Sequence, residues 1–193
     1  VLVGVPSGNT NVEMRAARDA AKNAGAREVL LIEEPMAAAI GAKLPVGKAI
    51  GNMIIDIGGG TTDIAVISLS GIVVAKNLRV AGDHLNAAIV AYIRDQFKVL
   101  VGDKTAEDAK IVLSSIVQHE DGKEMVVRGR DVVTGLPREV IITDTDIREA
   151  ISHSIDSIVE AVRSVLEKTP PEVLADVMQR GIHISGGGAL IPG

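Results

Sequence analysis

The chain opens on an apolar run, Val1 to Val5, closed by the turn residues Pro6-Ser7-Gly8, and this reads as a buried strand. Thr10-Asn11-Val12-Glu13 has the spacing of a capping box, in which hydroxyl and carboxylate satisfy each other's backbone N–H groups. A helix is therefore predicted over about 11–24, stopping at Gly25. A second short apolar strand, 29–32, ends in Glu33-Glu34-Pro35, and a small helix follows over 36–42. Strand, helix, strand, helix in that order implies parallel neighbouring strands.

The rhythm changes at Asn52. Three apolar runs, 52–57, 63–69 and 72–78, are separated by GGGTT and by Ser70-Gly71. A two-residue Ser-Gly break signals a hairpin, so an antiparallel meander is expected. Gly82-Asp83 opens a helix to about Lys98, with Leu85, Ala88, Ile89, Tyr92 and Ile93 on one face. Residues 99–144 read as an insertion: a helix from Thr105 to about Val117, with Thr105 and Asp108 at capping-box spacing, then strands 123–130 and 138–143 around a polar turn. Asp144 or Thr145 is expected to cap a long helix to about Lys168, striped by Ile147, Ile151, Ile155, Ile158, Val162 and Leu166 and broken by Pro170-Pro171. A short helix, 172–179, leads to strand 182–185 and the loop Gly186-Gly187-Gly188. The pattern is α/β, without internal repeats or low-complexity segments. The chain starts inside a strand and stops just after another, so it is expected to be part of a longer one.

Composition narrows the chemistry. The 193 residues suit one domain or two small ones; 47% are hydrophobic, and the aromatics are only Tyr92 and Phe97. An aliphatic core without stacking platforms and a net charge of −5 argue against nucleic acid as a partner. With no cysteine there is neither a disulfide framework nor a thiolate metal site, which fits a reducing cytosol. His84, His119, His153 and His183 are scattered, without ligand spacing. No apolar run is long enough to span a membrane, and no signal peptide is visible.

Four segments carry candidate chemistry. In Asp56-Ile57-Gly58-Gly59-Gly60-Thr61-Thr62, bare glycines let several N–H groups face an anion, Asp56 offers a carboxylate to hydrated Mg²⁺, and two hydroxyls can bond a phosphate oxygen. The alternative is a loose hairpin needing only positive φ. The sequence is no P-loop, since GxxxxGK[ST] is missing. Glu33-Glu34-Pro35 ends a parallel strand, where a carboxylate can orient water toward a phosphate or be merely an acidic loop. Ser185 to Leu190 is bare enough to lie against a nucleoside, yet glycine turns after strands are common. Glu107 and Lys110 share a helix face, within reach of a ribose or paired only with each other.

Taken in order, VPSGNTNVE, AGAREVLLIEEPMAAAIGAKLP, IIDIGGGTTDIAVISLSGIVV, RVAGDHLNAAI, TAEDAK and ISGGGAL resemble the actin-like ATPase superfamily and, within it, the bacterial actin MreB family. The resemblance covers nearly the whole chain. It implies a partial actin-like (ribonuclease H-like) fold: 1–45 as the last part of subdomain IA, 46–98 with 145–193 as IIA, and 99–144 as the inserted IIB. It also explains a glycine turn between two strands, because each half of such molecules offers a β-hairpin to the nucleotide phosphates.

By family pattern, Gly59, Gly60 and Thr61 would meet the phosphates of ATP and Asp56 the Mg²⁺. Glu34 would position the attacking water, with Thr61 as its partner. Glu107, Asp108, Ala109 and Lys110, with Gly187, Gly188, Ala189 and Leu190, would flank the nucleoside. The implied function is a slow ATPase that self-associates into filaments at the inner face of the cell membrane. It would direct cell shape and wall synthesis with membrane-bound shape proteins. The first phosphate hairpin, of Asp-Leu-Gly-Thr type, is not among these residues, nor is a membrane-anchoring element, so turnover is expected of the longer chain. The alternatives are an ATP-dependent chaperone of the same superfamily and a non-catalytic assembly module.

Overall fold

The computed structural model describes residues 1–118 and 122–193; His119 lies outside the described residues. A first unit runs β1 (Leu2–Val5), α1 (Asn11–Asn23), β2 (Leu30–Glu33), α2 (Glu34–Gly41). β1 and β2 pair in parallel with Val5 opposite Glu33. The capping box forms as expected: Glu13 accepts the Thr10 N–H at 2.8 Å, while the Thr10 hydroxyl accepts from the Glu13 N–H. α2 starts two residues earlier than its apolar pattern suggests. Pro35 sits in the first turn, where its fixed φ helps and its missing N–H costs nothing, so Glu34 opens the helix instead of closing the strand.

The main sheet has the order β5 (Gly71–Leu78), β4 (Thr62–Ser68), β3 (Asn52–Ile57), β9 (Ile182–Ser185). β3 is antiparallel to β4 and parallel to β9. Both of its faces are covered, which is why β3 and β4 are apolar without alternation. Ile54, Ala65 and Ile67 pack with Ala39 and Leu44 on one side. Met53, Ile55, Ile64 and Val66 pack on the other with Ala161 and Val165 of α5 (Asp144–Lys168) and Val177 of α6 (Pro171–Arg180). A third cluster joins Leu85, Ile89 and Ile93 of α3 (Gly82–Phe97), Ala106, Ala109 and Leu113 of α4 (Asp103–Leu113), and Ile147 and Ile151 of α5. It is closed by Val127 and Ile142 from the sheet of β6 (Val99–Leu100), β7 (Glu124–Asp131) and β8 (Pro137–Thr143).

Four local expectations are corrected. The β4–β5 turn is Leu69-Ser70, with Ser68 opposite Gly71, and both turn residues have positive φ, 52° and 60°. Two such residues make the twist-matched primed hairpin, and the 46–48 loop steadies it by accepting the Leu69 and Ser70 N–H groups. α4 begins at Asp103, which places Thr105 inside the first turn, so the Thr105–Asp108 box does not form. The helix ends at Leu113 because Ser114 turns to extended backbone. The cap of α5 is Thr143, whose box partner is Asp146. β6 is too short to show a pattern; it pairs with β7 where Gly129 admits the Leu100 carbonyl.

Candidate functional site

The turn between β3 and β4 is closed by the Gly58 N–H donating to the Thr61 carbonyl at 3.0 Å. It is then held from the other side. α3 has no side-chain cap, and the N–H groups of Gly82 and Asp83 donate to the Gly58 and Gly59 carbonyls at 3.0 and 2.8 Å. Two orphan donors of the helix start are thus spent on fixing the glycine turn. Gly59 and Gly60 remain exposed at its tip, with Thr61 half-buried beside them.

A cavity of about 340 Å³ opens between this turn, the start of α3, α4 and the turn after β9. Of the residues expected at a ligand, Gly59, Glu107, Lys110, Gly187, Gly188 and Leu190 line it. The Lys110 ammonium lies 2.8 Å from Glu107 and 3.3 Å from the Gly82 carbonyl, and its side chain is only 12% exposed. This is no loose surface pair; it ties α4 to α3 at the cavity wall. The Asn86 amide also donates to Glu107, at 2.6 Å. The Lys110 hydrogen bond first, and that from Asn86 second, hold the Glu107 carboxyl below the usual glutamate range.

The helical period turns the neighbours elsewhere. Ala109 is fully buried in the core, and Asp108 faces outward, paired with Lys104 at 3.1 Å. Ala189 lines a separate apolar cavity of about 300 Å³ with Ile55, Ile57 and Val162. Two of the three glycines after β9 are needed for packing. Gly186 has φ +84°, and a Cβ there would strike the Ile57 carbonyl; one at Gly188 would strike the Ile57 side chain. Gly187 has open space around it.

The polar end of β3 forms the second part of the site. Asp56 accepts from the Ser185 hydroxyl at 2.7 Å through one oxygen, while the other has no protein hydrogen bond among the described residues. Opposite it in register stands Asp63, 1% exposed. Asp63 accepts from the Ser7 N–H at 3.0 Å, the Ser7 hydroxyl at 2.7 Å and the Asn77 amide at 2.8 Å. Burial first, and then the charges of Asp63 and Asp56, push the Glu34 carboxyl above its ordinary value.

These groups fit Mg²⁺ in one way only. Among the described residues no three His, Cys, Asp or Glu side chains are arranged to hold a metal. Mg²⁺ keeps most of its water and takes one or two carboxylates plus phosphate oxygens, which suits the free Asp56 oxygen and rules out an all-protein cage. Sequence reading missed Gly82, Asp83 and Asn86 as site residues, since they mark no motif by themselves. Asp63 left a signal, as a charge inside an apolar strand. Among the described residues no helix is long and apolar enough to cross a membrane.

The MreB/Mbl protein family model matches residues 1–193. The cell shape-determining protein MreB of Haemophilus influenzae is 51% identical over 193 residues, covering 99% of this chain and 55% of that protein. Cell shape-determining protein Mbl of Bacillus subtilis is 45% identical, covering 100% of this chain and 58% of its own length. The crystal structure of MreB 5 of Spiroplasma citri bound to AMPPNP superposes with a TM-score of 0.95 at 43% identity, over 100% of this chain and 58% of that one. The MamK double helical filament, at 23% identity and a TM-score of 0.81, shares the fold; the match covers 100% of this chain and 57% of that one. The fold is therefore actin-like, and the chain spans just over half the length of the curated relatives it matches.

Proposed function

Because the chain belongs to the MreB/Mbl family, we propose that it is part of a bacterial actin that binds ATP with Mg²⁺, assembles into filaments and sets cell shape by directing wall synthesis. The full-length protein works at the cytoplasmic face of the cell membrane, through anchoring elements outside these residues and with membrane-bound shape proteins. Residues 1–45 are assigned to subdomain IA, 46–98 with 145–193 to IIA, and 99–144 to IIB.

Gly59, Gly60 and Thr61 present N–H groups and a hydroxyl to the phosphates. Asp56 holds the hydrated Mg²⁺, which when bound neutralises charge developing on the phosphates. Glu34, its basicity raised by burial and by two neighbouring carboxylates, orients the attacking water with Thr61. Glu107 and Lys110 face the ribose, and Gly187, Gly188 and Leu190 face the base. The backbone at Gly187 is bare enough for close approach.

One observation carries this reading. The glycine turn, the Glu107–Lys110 pair and the Gly187–Gly188 turn come from three distant parts of the sequence and line one cavity. The MreB 5 structures bound to AMPPNP and to ADP superpose on this chain over its whole length. The test is calorimetric titration of ATP·Mg²⁺ into the full-length protein, with light scattering to follow assembly. Saturable binding together with ATP-dependent filaments is expected; absence of both rejects the proposal.

A further inference from the structure

The β1–β2 unit and the main sheet are separate sheets with α2 packed on both. Among the described residues, the only hydrogen bonds joining residues 1–41 to residues 46–193 are those from the Ser7 N–H and hydroxyl to Asp63. Arg79 adds a weaker pull on Glu13 through space. One seryl–carboxylate contact is therefore the direct polar link between the unit that carries Glu34 and the hairpin that carries Asp56 and Thr61.

We propose that Ser7 and Asp63 form a latch between the two sheets that positions Glu34 over the phosphate hairpin, with Ser7 as a positioning residue for phosphoryl transfer. The proposal rests on the ATPase reading above and deepens it.

The geometry gives the latch a short lever at each end. Ser7 follows β1 by two residues, and β1 ends level with β2, whose next residue is Glu34. The Glu34 side chain lies beside Gly4, where an added Cβ would be in ordinary contact with it, 3.5 Å from the Glu34 Cγ. At the other end, Asp63 is the second residue of β4, next but one to Thr61, and stands opposite Asp56. Moving Ser7 relative to Asp63 would therefore move Glu34 relative to Asp56 and Thr61.

The chemistry of Asp63 also exceeds what tying the chain together needs. A buried carboxylate is costly unless its oxygens are satisfied, and here three neutral donors satisfy it, with no ion pair to it among the described residues. A neutral side chain would hold the same strands at lower desolvation cost. What the carboxylate adds is a negative charge opposite Asp56 in register, whose field reaches Glu34. Asn77, from the end of β5, keeps the second oxygen of Asp63 in place while Ser7 holds the first.

The test uses the full-length protein and steady-state phosphate release. Ser7→Ala is expected to lower kcat roughly tenfold while KM for ATP and the melting temperature stay near wild type, as for a loss confined to the transition state. Ser7→Thr, which restores the hydroxyl, should recover most of kcat. Thr10→Ala, which unseats only the α1 cap, should lower the melting temperature and leave kcat alone. Should Ser7→Ala not fold, Asn77→Ala removes the third donor from Asp63 and is expected to lower kcat in the same sense. Unchanged kcat in Ser7→Ala, or losses of kcat that only follow the folded fraction in Ser7→Ala and Asn77→Ala, overturns the latch and leaves the ATPase reading standing. A wild-type protein that releases no phosphate overturns both.

Discussion

The Lys110 ammonium meets the Glu107 carboxylate at 2.8 Å on the face of α4 turned toward the glycine hairpin, and it also touches the Gly82 carbonyl at the start of α3. This pair both lines the cavity and fixes the wall that carries it. Lys110→Ala is expected to raise the Kd for ADP about tenfold, in line with the loss of charge-assisted hydrogen bonds. Fluorescence titration of the full-length protein measures this. Because Glu107 is held below the ordinary glutamate range, its pairing adds stability that is fully present above that range. That stability is lost as pH falls through the lowered value. Thermal melts across acid pH should therefore converge for wild type and Glu107→Gln at the acidic end.

Glu34 should separate binding from chemistry. Glu34→Ala is expected to cut phosphate release roughly a hundredfold, as for loss of a base, while leaving nucleotide affinity nearly intact. Since burial and two neighbouring carboxylates raise Glu34, the acid limb of the pH–rate profile should lie above the range of an ordinary glutamate. Equal loss of affinity and rate would speak against the role given to Glu34.

The two kinds of glycine after β9 should behave differently. Gly186→Ala adds a methyl against the Ile57 carbonyl at a positive φ, and about 1–3 kcal/mol of destabilisation is expected from each of strain and overpacking. Gly187→Ala meets nothing and should cost less than about 0.5 kcal/mol. Urea denaturation of the two variants side by side measures the contrast.

At the tip of the β7–β8 hairpin, Asp131 accepts N–H bonds from Thr134 and Val133 and an ion pair from Arg138. The Thr134 N–H first, then Arg138, pull its carboxyl down to about 2. The turn should therefore keep its full stability above the ordinary aspartate range and lose it only as pH falls through about 2. Exchange of the Thr134 amide with solvent, followed against pH, should show this, and Asp131→Asn should abolish the dependence.

Much of this was legible in the residues. The Thr10–Glu13 box, the continuous apolar runs of β3 and β4 and the isoleucine stripe of α5 announce their elements, because each is a local signal backed by the core it joins. The box at Thr105 misled, since helix starts depend on the backbone upstream, where Gly102 takes the cap. The Ser70-Gly71 turn slipped by one residue because the 46–48 loop, remote in sequence, stabilises two residues in a conformation that L side chains avoid. At the site, Glu107 and Lys110 could be paired from helical spacing. The docking of α3 onto the glycine turn, the packing need behind Gly186 and Gly188, and the bond from Ser7 to Asp63 arise from contacts between distant segments that no local pattern encodes.

The central claim is that the glycine turn between β3 and β4 faces bound nucleotide, and Gly59 tests it most directly. Its φ is unstrained, and an added Cβ would make only ordinary contact, 3.7 Å from the Asp83 carboxylate that lines the same cavity, so a methyl there fits the fold. Calorimetric titration of ADP·Mg²⁺ into full-length wild type and Gly59→Ala should show affinity falling by roughly tenfold at a nearly unchanged melting temperature. Undiminished affinity in a normally folded Gly59→Ala protein would contradict the placement of the nucleotide at this turn.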